Sequence, residues 1–370
     1  MAGFTLDMSE FEGFFVGGKK INISSSAIEE YMDENYERAL ELLNEDIIND
    51  PSDAVLFNNR ALTYNKLGDN DKALEDYQRA IDLKPNYADA YYNRASLKDD
   101  IGDHEGAITD ISITIELKPK DAEALNNRGL YKFNANKIVE AIADFNHAID
   151  LEPNYASAYL HRGMAKSNLE DYEGAKEDAS IVINLEPEKF EAYFNRSIEK
   201  HALKDYIGAI EDLKIFLNYD ANCMRAYRQM SISKLKIDDY NGALTDINAA
   251  IDLEPNDGEL YEIRAIIYSE LKDYDNAKKN FDLAHTNGKN DSRFYANMAK
   301  SKSFAGYIAS ALADISISLE LDITNTYAWE TKGDIYLNMG DKASAKSSYL
   351  KALELGSDKA QDEIDKLDLQ

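Results

Sequence analysis

The sequence predicts an all-α solenoid, about ten 34-residue helix-turn-helix units stacked over one continuous core. Three observations predict it. Proline recurs at Pro51, Pro85, Pro119, Pro153, Pro187 and Pro255, with each gap 34 residues or twice 34. Numbering that proline as position 32 starts units at 20, 54, 88, 122, 156, 190, 224, 258, 292 and 326. Position 20 is then alanine in all ten units (Ala39, Ala73, Ala107 and so on to Ala345), and position 4 is aromatic in eight of the last nine, Leu125 being the exception. An unbroken period of this kind marks a repeat whose single unit cannot bury its apolar face alone, so neighbours must stack.

Each unit reads as the same elements in order. Positions 4, 7, 8 and 11 form one helical stripe, and positions 20, 24 and 27 form a second at the i, i+4, i+7 spacing. Between them lie turns such as Leu67-Gly68-Asp69-Asn70, Asp171-Tyr172 and Asp205-Tyr206, where Gly and Asp favour turn geometry and helix starts. The proline ends the second helix, which it cannot continue. Small residues at positions 8 and 20 let the two helices approach closely. Residues 20–357 are consumed this way. Residues 1–19 are a separate contact segment whose Phe4, Phe11, Phe14 and Phe15 suit a cap on the first repeat, a ligand mimic in a groove, or a partner contact. Residues 358–370 are charged and fit a solvating terminal helix.

The combined pattern resembles that of tetratricopeptide repeat proteins. The residues that carry it are the aromatic at position 4, Gly or Ala at position 8 (Ala61, Ala95, Gly129, Gly163, Ala265, Ala299, Gly333), Tyr64, Tyr268 and Tyr336 at position 11, Ala at 20, and proline at 32. Ser197 and Ser231 depart from it at position 8, as do Ala221, Lys289, Ile323 and Ser357 at position 32. The resemblance implies a right-handed superhelix of antiparallel helix pairs. It further implies a concave groove lined by the first helices, which binds peptide or protein and performs no chemistry. Because fold does not fix function, the groove has to be read residue by residue.

Positions 2, 5, 6, 9 and 13 lie away from the core stripe, and the resemblance turns them toward the groove. Position 6 carries Asn59, Asn93, Asn127, His161, Asn195, Gln229 and Asn297, side chains that both donate and accept hydrogen bonds. Such a row suits the backbone of an extended peptide; it also suits plain solvation. A similar asparagine ladder occurs in the repeat domain of O-GlcNAc transferase, where it holds extended polypeptide. Position 9 is apolar in five consecutive units, Leu130, Met164, Ile198, Ile232 and Ile266. Either these residues form an interaction surface, or tight curvature buries them between neighbouring first helices. Residues 55–61 (VLFNNRA) resemble the second repeat of chaperone-binding domains that clamp a C-terminal carboxylate, but Ser24, Asp89 and Asn93 stand where the clamp's cations would be. Arg225, Arg228, Arg293 and Lys300 supply basic groove positions later, as solvated charge or as holders of an acidic segment.

A second ladder reads as structural. Position 7 carries Arg60, Arg94, Arg128, Arg162, Arg196, Arg264 and Lys332; position 23 carries Asp76, Asp110, Asp144, Asp178, Asp212, Asp246 and Asp314. Pairing each base with the acid of the preceding unit (Arg94–Asp76, Arg128–Asp110, Arg162–Asp144, Arg196–Asp178, Arg264–Asp246, Lys332–Asp314) accounts for six bases, whereas pairing within units accounts for five. The expectation is therefore a set of partly buried bridges between units.

Composition excludes several function classes. Lys plus Arg is 41 and Asp plus Glu 69, a net charge of −28, which disfavours nucleic acid and anionic membrane as partners. With 44% hydrophobic and 10% aromatic residues the chain can fold, and with 18 Gly and 6 Pro it lacks the turns of an all-β protein. The single cysteine, Cys223, permits no internal disulfide and suits a reducing compartment. With no secretory leader pattern and no run of eighteen apolar residues, a soluble cytoplasmic protein is expected. Residues 13–20 (GFFVGGKK) approach a phosphate loop but lack its Ser or Thr and the strand before it. The five histidines have no metal-ligand partner at helical spacing, so no cofactor, metal or catalytic residue is assigned. The function expected is a non-catalytic adaptor that holds a protein segment. Alternatives are an acidic regulatory or immunity-type inhibitor of a basic partner, and a structural subunit of a larger assembly.

Overall fold

In the computed structural model, residues 15–16, 19–20 and 25–368 are described. The capping role expected of residues 1–19 falls outside them, except that Phe15–Val16 pairs antiparallel with Lys19–Lys20. Everything else described is helix and turn: ten helix pairs, from Ser25–Met32 with Tyr36–Asn49 to Thr326–Asn338 with Lys342–Glu354, then the helix Asp358–Asp368. The chain divides into two compact units, Met1–Leu185 and Glu186–Gln370, each holding five pairs.

Local chemistry sets the boundaries. Asp69, Asp103, Asp205, Asp239, Asp273 and Asp341 stand before second helices, and each carboxylate accepts a backbone N–H from the first turn. Asp53, Asp121, Asp257 and Asp291 cap first helices in the same way. The turn between paired helices requires one left-handed residue. Gly68, Gly102, Gly306 and Gly340 provide it freely, whereas Glu170, Lys204, Asp238 and Lys272 hold φ near 60° with a side chain attached.

Packing follows the small residues. Every position-20 alanine is buried. At position 8, Gly129 faces Phe145 so closely that a Cβ would lie 2.5 Å from the ring, and Gly333 meets Tyr349 in the same way. Within each half, a second helix is held between its own first helix and that of the next unit. In the first half, Ala148 and Ile149 pack with Leu125 of their own unit and Ala158 of the next. In the second half, Ile247, Ala250 and Ile251 pack with Leu260, Ile263 and Ile267. The last helix closes the final pair: Ala360 and Ile364 are buried against Ala345, Tyr349 and Ala352.

Consecutive first helices also touch one another directly. This holds for Ala54–Lys66 with Ala88–Asp100 and for Ala122–Asn134 with Ala156–Asn168 in the first half, and for each consecutive pair from Phe190–Ala202 to Thr326–Asn338 in the second. Among the described residues no consecutive second helices make a comparable contact. Within each half the stack therefore bends toward its first helices, which form the inner layer.

Candidate functional site

The ladder of bases and acids joins the two helices of one unit, not neighbouring units as expected. Arg94 donates from Nε and Nη2 to Asp110 at 2.7 Å each, and Lys98 adds its Nζ at 2.8 Å. The same triad recurs as Arg128, Lys132 and Asp144, as Arg162, Lys166 and Asp178, and as Arg196, Lys200 and Asp212. Arg60 holds Asp76, and Lys234 and Lys302 hold Asp246 and Asp314 alone. The pairings Arg94–Asp76, Arg128–Asp110, Arg162–Asp144 and Arg264–Asp246 do not form. Positions 7 and 23 face each other across the hairpin, and the preceding second helix presents position 25 to the arginine instead. The remaining guanidinium nitrogen takes that contact: Arg94 Nη1 donates to Gln78 at 2.7 Å, Arg162 Nη1 to Asn146 at 2.7 Å and Arg264 Nη1 to Asn248 at 2.8 Å. Arg264 gives its Nε to Asn280, which replaces the aspartate of its own unit. Arg60, Arg94, Arg128 and Arg162 thus each clamp a buried carboxylate and staple their unit to the one before. Burial without the arginine raises the Asp246 and Asp314 carboxyls, which the adjacent lysines only partly offset.

The inner layer carries the position-6 row, and its members have different partners. Asn93 donates to Asn58 Oδ1 at 3.1 Å, Asn127 to the Tyr92 hydroxyl at 2.7 Å, and His161 Nδ1 to Asn126 Oδ1 at 2.9 Å. Asn297 donates to Glu262 and accepts from the Tyr327 hydroxyl, both at 2.9 Å. Asn59 accepts weakly from Asn58 at 3.4 Å. Apart from Asn59, these residues brace consecutive first helices through position 5 of the unit before. Tyr92 in turn donates to Glu123, and burial together with that carboxylate pushes its phenol far upward. Asn195 and Gln229 differ. Both are half-buried, and among the described residues their side-chain amides have no hydrogen-bond partner.

The position-9 row lies beside these amides. Met164 is 41% exposed, whereas Leu130, Ile198, Ile232 and Ile266 are half-buried. Ile232 and Ile266 lean on core clusters, so packing covers one side of these chains and leaves the other open.

Comparison with known families decides the class. Family models described as tetratricopeptide repeat match residues 54–87, residues 76–109, and residues 122–155, 156–189, 258–284 and 326–358. The chain is a tetratricopeptide repeat protein. No curated protein sequence matches it. Solved structures similar to it include the C-terminal part of a TPR repeat-containing protein from Cytophaga hutchinsonii, at 16% identity and TM-score 0.53, covering 65% of this chain and 98% of that one. A tetratricopeptide repeat protein from Parabacteroides merdae aligns at 20% identity and TM-score 0.47, covering 76% and 99%. Yeast Tom70 aligns at 16% identity and TM-score 0.45, covering 94% and 95%. These likenesses concern the fold alone. Tetratricopeptide repeats form protein-interaction scaffolds, and no described helix is long and apolar enough to cross a membrane.

Two features of this repeat array escaped the sequence reading. One is the lysine at position 11, which replaces the family's aromatic and supplies the second cation of each triad; its signal was legible, since every position-23 aspartate has a base at position 7 or 11 of its own unit. The other is the pairing of the inner-face cations. Arg228 is bound to Glu259, whereas Arg225, Arg293 and Lys300 have no ion pair among the described residues.

Proposed function

We propose that the protein is a non-catalytic adaptor that holds an extended segment of a partner protein along the inner, first-helix face of its repeats. The observation that carries this reading is the juxtaposition in the second half of unpartnered amides, Asn195 and Gln229, with half-open Ile198 and Ile232. An extended chain offers N–H and C=O groups at every residue, which such amides satisfy whatever the sequence. Its alternate side chains can cover the isoleucines, each fully buried side chain contributing about 1.5–3 kcal/mol before the cost of association. In the first half, Met164 is the open apolar position, and the asparagines there serve mainly to fix helix spacing.

Capture of partners from a lysate by the tagged protein, followed by mass spectrometry, tests this. Asn195→Ala with Ile198→Asp, and separately Met164→Asp, should lose the captured set while the melting temperature stays within a few degrees of wild type. Recovery of the same partners in the same amounts by the folded double variant would remove the inner face from the function.

A further inference from the structure

We infer that the segment ahead of the first helix docks on the N-terminal end of the array through an ion pair between Lys20 and Asp46. The repeat register carries the inference. Position 1, where a first helix begins, meets position 27 on the second helix of its own unit. Thr114 Oγ1 donates to the Ala88 carbonyl at 3.2 Å, and Ser318 Oγ to the Ser292 carbonyl at 2.7 Å. The Ser292 and Ser318 hydroxyls lie 3.1 Å apart, and a Cβ on Gly258 would come within 2.8 Å of the Ala284 carbonyl oxygen. Nine units fill both positions with uncharged residues. In the first unit position 1 is Lys20 and position 27 is Asp46, so the one cation and the one acid at these positions fall together.

Asp46 lacks the partner that this register supplies. It stands on the helix Tyr36–Asn49, and its Oδ2 is buried without a hydrogen bond among the described residues. A carboxylate oxygen in that state is costly unless a cation or a donor reaches it. The first helix of this unit begins at Ser25, position 6, whereas the other nine begin at position 1. No turn of a described first helix therefore stands where position 1 lies in the others. Four residues separate Lys20 from Ser25, a span of at most about 18 Å, so the lysine belongs to this end of the array. Its backbone pairs with that of Phe15, so docking brings Phe15 and Val16 to the same end. Ile48 suits them there: it is 80% exposed and is the single apolar residue at position 29 in ten units. Of the three roles open to the N-terminal segment, this pairing favours the cap on the first repeat.

The test uses the full chain carrying Cys223→Ser, which removes the single native cysteine. Lys20→Cys with Asp46→Cys should form an intramolecular disulfide under mild oxidation, read by mass spectrometry of the intact protein, because side chains at positions 1 and 27 lie within disulfide reach. Lys20→Cys with Glu45→Cys, one residue away on a different face of the helix, should stay reduced. No disulfide at position 46, or an equal yield at position 45, would overturn docking at this place. The charge is tested separately in the chain with both native residues. Trypsin should cleave after Lys19 and Lys20 about fivefold faster in Asp46→Asn than in wild type, the factor expected of a partly exposed ion pair. Equal rates, with both proteins folded by circular dichroism, would leave Asp46 for a partner's cation and overturn its pairing with Lys20.

Discussion

Replacing Asp178 tests how the repeats are locked. This carboxylate is 1% exposed and accepts from Arg162 Nε at 2.9 Å, from Arg162 Nη2 at 2.6 Å and from Lys166 Nζ at 2.8 Å. Asp178→Asn leaves two cations facing a neutral amide. Breaking a buried pair costs about 3–5 kcal/mol, and the lower end applies because the Arg162 and Lys166 side chains keep 16% and 20% of their exposure. Arg162→Met copies the natural arrangement beside Lys234 and Lys302, where methionine stands at position 7, and should cost about 1.5–3 kcal/mol for the lost hydrogen bonds to a charged group. The double variant should show a coupling of about 1.5 kcal/mol. Arg162→Met combined with Asp144→Asn should be additive within about 0.5 kcal/mol, since Asp144 belongs to Arg128 and Lys132. Amide exchange in Ala156–Asn168 and Tyr172–Leu185 is the suitable assay, because a repeat array need not unfold in one step. Stronger coupling of Arg162 to Asp144 than to Asp178 would refute the within-unit clamp.

Three further outcomes follow from packing, backbone and charge. Gly129→Ala forces a methyl to 2.5 Å from the Phe145 ring and should destabilise by about 1–3 kcal/mol, whereas Gly163→Ala, with nothing nearer than 3.4 Å, should be neutral or stabilising in thermal melts. Lys204→Gly relieves a φ of 66° and should raise stability by about 0.5–1 kcal/mol in urea titrations, the strain relieved exceeding the entropy glycine adds to the unfolded chain. Asp314 has a raised folded pKa through burial, so its ionisation opposes folding, and stability falls as pH rises above the ordinary value of 3.8 through the folded one. Met298→Arg supplies the missing guanidinium and should flatten or reverse that dependence in melts recorded across this window.

The repeat was legible because its determinants are local: an alanine at position 20 of every unit, a proline after six of the ten second helices, a glycine opposite the Phe145 ring. The ladder was misassigned because separations of sixteen and eighteen residues match the pattern almost equally well, and Lys98, Lys132, Lys166 and Lys200, at position 11, lie outside the row of bases at position 7. The sequence placed Asn93, Asn127 and Asn297 on first helices, away from the core stripe. It could not show that each reaches position 5 of the preceding unit, which depends on how closely consecutive first helices approach. The same distance decides that Arg228 finds Glu259 while Arg225 and Arg293 find no acid.

Methyl NMR of isoleucine-labelled full-length protein, titrated with a segment of a captured partner, addresses the binding face most directly. The account predicts shifts at Ile198, Ile232 and Ile266 on first helices, with Ile215 and Ile317, exposed on second helices, unchanged. Shifts confined to Ile215 and Ile317 would place the ligand on the opposite layer and contradict it.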